Sequence, residues 1–224
     1  MGGNRDARRE RELRELMVER QIRARGLEDP AVLQAMRTVP REAFVPEELR
    51  DRAYIDAALP IPDGQTISQP YIVALMATTL QLKPGDRVLE IGTGSGYAAA
   101  VLSRIAQEVY TVERHESLAL AAKERLEALG YDNVRVGVGD GTLGWAEHAP
   151  YDAITVAASG PQVPDTLRAQ LKIGGRLVMP MGSSRIEQKL VRVTRESEDE
   201  YAEENLVSVS FVPLIGREGW EDGG

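Results

Sequence analysis

Three glycines alternate in Val88-Leu-Glu-Ile-Gly-Thr-Gly-Ser-Gly-Tyr97, directly after a short apolar run. Glycine lets a chain turn tightly and lets a ligand approach the main chain closely. Gly92, Gly94 and Gly96 therefore describe a loop suited to holding a small molecule. The spacing is G-x-G-x-G, whereas a dinucleotide loop uses G-x-G-x-x-G with the pyrophosphate on a helix N-terminus. Two carboxylates follow. Glu113 closes Val109-Tyr-Thr-Val-Glu113, where an acid can accept hydrogen bonds from both hydroxyls of a ribose. Asp140, in Gly137-Val-Gly-Asp-Gly141, can accept one from an adenine amino group. Glycine loop, Glu113 and Asp140 form an ordered series, as expected for a ligand laid across the carboxyl ends of successive strands. Upstream, Ser68 precedes Gln69-Pro70 at a helix start. Its hydroxyl can cap that helix or help hold an anion at the helix N-terminus.

The remaining inventory narrows the chemistry. The chain has no cysteine, which excludes disulfides, zinc-thiolate sites and cysteine nucleophiles. Its two histidines, His115 and His148, give little to a histidine-rich metal site or a Ser-His-Asp triad, so no metal is expected. A net charge of −8 opposes binding to a nucleic-acid backbone. No apolar run reaches the roughly 18 residues of a membrane helix, and the N-terminus lacks the apolar core of a secretory signal. A cytoplasmic, globular enzyme without a membrane partner is the expectation.

The elements that must position these residues follow from periodicity. Leu13, Leu16, Met17 and Ile22 predict a helix over 13–25, stopped by Gly26. Asp29-Pro30 opens a second helix with Val32, Leu33 and Met36 on one face. A proline-punctuated stretch leads to a helix over 71–81. Strands are then predicted over 87–91, 108–112, 134–138, 151–157 and 176–179, alternating with helices over 97–106, 118–129 and 164–171. Gly174-Gly175 should turn the chain into the strand at 176. The tail reads as two strands, 189–195 and 206–212, joined by an acidic turn at 196–204. Such alternation gives a doubly wound, mostly parallel α/β sheet of the seven-stranded type, with a helical N-terminal segment and antiparallel C-terminal strands. Residues 1–12, mostly charged, are expected to form a disordered extension. Residues 13–224 form one domain: a substrate-side segment at 13–82, a cofactor-binding core at 83–180, and strands and tail at 181–224.

The glycine loop preceded by Glu90 resembles the first motif of class I S-adenosylmethionine-dependent methyltransferases. Asp63-Gly-Gln-Thr-Ile-Ser-Gln-Pro-Tyr71 resembles the signature of the protein-L-isoaspartate O-methyltransferase family. Val39-Pro-Arg-Glu-Ala-Phe-Val45, Tyr54, Asp56, Leu59-Pro-Ile61, Gly139-Asp-Gly141 and Phe211-Val-Pro-Leu214 extend that resemblance over nearly the whole chain from about Met17. It implies a monomeric, metal-free repair enzyme. Such an enzyme methylates the α-carboxylate of L-isoaspartyl residues in damaged proteins and releases S-adenosylhomocysteine. The resulting ester recyclises to a succinimide, whose hydrolysis restores some normal linkages. It further implies that Glu90 acts near the cofactor's ammonium. Gly92, Thr93, Gly94, Gly96, Glu113, Arg114, Asp140 and Gly141 would bind the cofactor. Ser68 would be the active-site serine, with Thr66 and Ile67 beside it at the acceptor. A carboxylate acceptor is ionised at neutral pH and needs no general base, which suits a site poor in histidine and cysteine. The Asn/Asp-Pro-Pro-aromatic motif common among amino-methylating nucleic-acid enzymes is absent from Ala157-Ala-Ser-Gly-Pro-Gln-Val-Pro164. A small-molecule or RNA methyltransferase with the same cofactor half, and a silent binding protein that keeps the fold, are the alternatives.

Overall fold

The computed structural model describes residues 2–184 and 187–221. Met1, residues 185–186 and residues 222–224, assigned from the sequence to the extension and the C-terminal tail, lie outside the described residues. A seven-stranded sheet organises the chain, in the order β5-β4-β3-β6-β7-β8-β9. Its parallel part comprises β3 (Arg87–Ile91), β4 (Glu108–Glu113), β5 (Val134–Val138) and β6 (Tyr151–Val156), with β7 (Leu171–Met181) parallel to β6. Then β8 (Gln188–Arg195) and β9 (Tyr201–Val209) add antiparallel strands. Side chains alternate between the faces, so Val88 joins the core on one side while Leu89 and Ile91 join that on the other. With helices packed over it, β3 is buried on both faces, which is why it reads as a nearly continuous apolar run. The chain leaves β3 for β4 on one side and returns to β6 on the other. That reversal opens a crevice beyond the carboxyl ends of β3 and β6.

The N-terminal segment lies over one face. Helix α1 (Gly2–Met17) continues into a π-turn and a short 3-10 turn that stops at Gly26, whose φ of +88° suits glycine. Residues 2–12 of the charged stretch expected to be disordered thus form the greater part of this helix. No proline interrupts it, and its exposed Arg8 and Glu12 pair one turn apart at 2.9 Å. Helix α2 (Pro30–Thr38) starts as expected, with Asp29 Oδ1 accepting from the amides of Ala31 and Val32 at 2.9 and 3.1 Å. The proline-rich stretch holds an unforeseen small hairpin, β1 (Leu59–Pro60) paired with β2 (Thr66–Ile67). Helix α3 (Pro70–Leu80) follows.

Four elements downstream differ from the sequence reading: α4, α6, β7 and β9. Helix α4 (Tyr97–Ser103) stops three residues short of 106, because Asn133 Nδ2 takes the carbonyls of Ser103, Ala106 and Gln107 at 3.0–3.3 Å. Between β4 and β5, α5 (Glu116–Ala128) ends at Gly130 as expected. Helix α6 (Asp165–Ala169) is shorter than predicted, because β7 begins already at Leu171. Gly174-Gly175 forms an irregularity inside that strand: Tyr151 pairs with Leu171 but Ala153 with Arg176. Finally, β9 starts at Tyr201, inside the predicted acidic turn. Glu203 and Glu204 are held in the strand by Arg168 at 3.6 Å and Arg192 at 2.6 Å.

Candidate functional site

A cavity of about 1040 Å³ occupies the crevice where the sheet reverses. Its floor is the glycine loop after β3. Gly92, Gly94 and Gly96 have φ of +92°, +52° and +88°, a region that costs other L-residues energy. Closeness matters as well: a Cβ on Gly92 would stand 3.4 Å from the Ala157 side chain after β6, and one on Gly96 3.3 Å from Leu126 of α5. The Arg125 guanidinium fastens α5 to the loop by donating to the Ser95 carbonyl at 2.8 Å.

Glu113 stands at the end of β4, nearly buried, and faces the cavity. One carboxylate oxygen accepts from the Gly94 amide at 2.9 Å and the other from the His115 amide at 3.0 Å. Each oxygen keeps a second lone-pair direction. Thr66, Ile67, Ser68, Thr93, Arg114 and Gly141 also line the cavity. Ser68 is half-buried and does not cap α3; that place belongs to Gln69, whose side chain makes no capping bond. The cap reading of Ser68 is therefore set aside.

Glu90, Gly96 and Asp140 stand behind the cavity wall. Glu90 is 1 % exposed; its Oε2 accepts from Thr111 Oγ1 at 2.6 Å, and Thr111 lies 2.7 Å from Thr93 Oγ1. With Thr111 donating to Glu90, Thr93 donates to Thr111, so the chain of hydroxyls runs from the loop down to the carboxylate. Glu90 Oε1 is buried without a hydrogen-bond partner among the described residues. Burial, with the negative charge of Glu113 adding to it, pushes the Glu90 carboxyl up to about 8 against the opposing bond from Thr111. Asp140 is committed elsewhere: Oδ1 accepts from the amide and hydroxyl of Thr142 at 2.9 and 2.7 Å, and Oδ2 from the Arg217 amide at 2.8 Å. Burial would raise its pKa, but these bonds outweigh it and hold the carboxyl below its ordinary value.

The raised Glu90 pKa carries a stability prediction. Between about 4.5 and 8 the folded ligand-free protein keeps a proton that the unfolded chain has released. This contribution is fully present below the lower value and is lost as pH rises through the upper one, at up to about 1.4 kcal/mol per pH unit. Glu90→Gln should remove it. Compared from pH 5 to 9, the melting temperature of the variant should rise relative to that of wild type as pH rises and level off above about 8; a constant difference across that range would contradict the assignment.

The sequence reading gave no role to the C-terminal segment. Ser208 to Ile215 form a cavity wall, and the residues beyond strap it down. Leu214 N and Trp220 Nε1 both donate to the Ser159 carbonyl at 2.8 Å, while Glu218 accepts from the Thr166 amide at 3.0 Å. Phe211-Val-Pro-Leu214 was the available signal: it belonged to the resemblance, but spacing alone does not say that a tail folds back over a sheet end.

Known proteins resemble this chain in sequence and fold. A family profile described as protein-L-isoaspartate(D-aspartate) O-methyltransferase matches residues 11–219. A protein-L-isoaspartate O-methyltransferase 2 of Pelobacter propionicus is 63% identical over 207 residues, covering 92% of each chain. A protein-L-isoaspartate O-methyltransferase 1 of Geotalea uraniireducens is 62% identical, covering 92% of this chain and 94% of its own. Among solved structures, a protein-L-isoaspartate O-methyltransferase superposes with a TM-score of 0.81 at 32% identity, covering 93% of this chain and 67% of its own. A putative enzyme of the same description from Plasmodium falciparum, in complex with S-adenosyl-L-homocysteine, gives 0.77 at 26% identity, covering 90% and 98%.

Proposed function

Because the chain belongs to the protein-L-isoaspartate(D-aspartate) O-methyltransferase family, we propose a division of its reaction among the residues of the cavity. The enzyme transfers a methyl group from S-adenosylmethionine to the α-carboxylate of L-isoaspartyl residues, and the methyl ester recyclises to the succinimide. The observation that carries the residue assignment is the single cavity that joins the positive-φ glycine loop and Glu113 to the Thr66-Ile67-Ser68 strap.

S-adenosylmethionine supplies an electrophilic methyl group on a sulfonium, together with an ammonium and a ribose. The residues fit such a group. Glu113 offers one free acceptor direction on each oxygen to the two ribose hydroxyls. The Glu90 carboxylate beneath the loop serves the ammonium end through the Thr93 and Thr111 hydroxyls, which lead down to its Oε2. Arg114 and Gly141 border the ribose and adenine ends, and Asp140 supports the adenine side by fixing Thr142 and the C-terminal segment at Arg217.

At the acceptor end, Ser68 donates its hydroxyl to the isoaspartyl carboxylate, with Thr66 and Ile67 as backbone neighbours. The carboxylate attacks with its own lone pair, and the carbon–sulfur bond electrons leave on sulfur, so no residue here need accept or give a proton. The protein's task is in-line placement and exclusion of water. Residues 13–82 build the acceptor side, 83–180 the cofactor core and 181–224 the closing wall. The enzyme in this reading is a monomer that acts on isoaspartyl-containing proteins and peptides. The lack of cysteine suits the cytoplasm, the acidic balance disfavours nucleic acid, and no described helix is long and apolar enough to cross a membrane. No metal enters this scheme.

Incubation with S-adenosylmethionine labelled in the methyl group and an aged, isoaspartyl-rich protein tests this reading. Label should enter protein in a form that base releases as methanol. Base-stable label, or label transferred to added RNA instead, would overturn it.

A further inference from the structure

Ser68 lies three residues before Tyr71, in the first turn of α3, and the side chain that serves this turn comes from elsewhere. Asp56 Oδ1 accepts from the Tyr71 amide at 3.4 Å, and Asp56 Oδ2 accepts from Arg25 Nη1 at 2.9 Å. The Arg25 guanidinium also lies over the Tyr71 ring, 3.3 Å from its centroid. Three separate segments meet here: the end of the 3-10 turn before Gly26, the loop leading to β1, and α3. A carboxylate is favoured at a helix N-terminus, and the flat guanidinium can pair with it and stack on the ring at once. Ala58, two residues after Asp56, lines the same cavity as Ser68, so one carboxylate fastens both stretches of the rim. The pair is partly exposed, 45 % at Arg25 and 26 % at Asp56, where such contacts add little to stability.

We propose that Arg25, Asp56 and Tyr71 form a clamp that positions Ser68 for the acceptor carboxylate. The inference rests on Ser68 orienting that carboxylate, and none of the three clamp residues need touch substrate. Asp56 fixes the start of α3, and Arg25 offsets a negative charge that would otherwise repel an anionic acceptor nearby.

Non-additivity with Ser68 separates this role from a merely structural one. Single-turnover methyl transfer to an isoaspartyl peptide is measured at saturating S-adenosylmethionine in wild type, D56A, S68A and the double variant. Misplacement of an orienting group by a fraction of an ångström should make D56A about ten-fold slower than wild type. D56A/S68A should be no more than about two-fold slower than S68A, with cofactor affinity unchanged throughout. Equal slowing in both backgrounds, or no slowing in either, overturns the clamp. S68A at the wild-type rate instead removes the serine assignment, and the clamp with it. Arg25→Met, at a half-exposed position, supplies the same comparison if D56A fails to fold.

Discussion

Replacing Ser68 with alanine is expected to slow methyl transfer by roughly thirty- to a thousand-fold while leaving cofactor affinity nearly unchanged. Ser68 lines the cavity from the segment just before α3. Losing one hydrogen bond to an anion and the alignment it imposes should cost on the order of 2–4 kcal/mol at the barrier. A helix cap lost to alanine would instead cost about 1 kcal/mol of stability. Here Gln69 occupies the cap position and Asp56 receives the Tyr71 amide, so S68A should melt close to wild type. Single-turnover rates and melting temperatures of one preparation decide the matter. A lowered melting temperature with an unchanged rate would make the serine structural.

The second large effect is expected at Glu113. Glu113→Ala removes two acceptors for the ribose hydroxyls, each worth roughly 1.5–3 kcal/mol for a charged acceptor. It also strands the amides of Gly94 and His115, so the loop loses one of its ties to β4. Affinity for S-adenosylhomocysteine should fall by about a hundred-fold or more in calorimetric titration. Glu113→Gln should fall between, since it keeps acceptor capacity without the charge. The negative charge that helps raise Glu90 would be gone too, so the steep part of the stability profile should move to lower pH in E113A. Unchanged affinity in E113A would refute the ribose assignment.

The central parallel strands and the glycine loop could be located from sequence because they rest on local rules. Apolar runs buried on both faces announce β3 and β6, and alternating glycines announce a loop with positive φ. What escaped depends on distant partners. Asn133 ends α4 from 30 residues away, and Arg168 and Arg192 hold Glu203 and Glu204 in a strand where composition suggests a turn. Within the site, Glu113 and Ser68 line the cavity as the motifs suggested, whereas Asp140 faces Thr142 and the returning tail. A carboxylate after a strand says that an acceptor stands there; which donors take it is decided by Arg217, 77 residues later.

Paired peptides test the central claim most directly: one carrying a single L-isoaspartyl residue, the other the normal L-aspartyl residue in an otherwise identical sequence. Initial rates of methyl transfer from S-adenosylmethionine are measured on both. The account predicts rapid methylation of the isoaspartyl peptide and little or none of its twin, because only the isomerised linkage leaves the α-carboxylate free, directly on Cα, whereas the normal linkage ties it up in the peptide bond and leaves a carboxylate one methylene further out. Equal rates on the two peptides would contradict it.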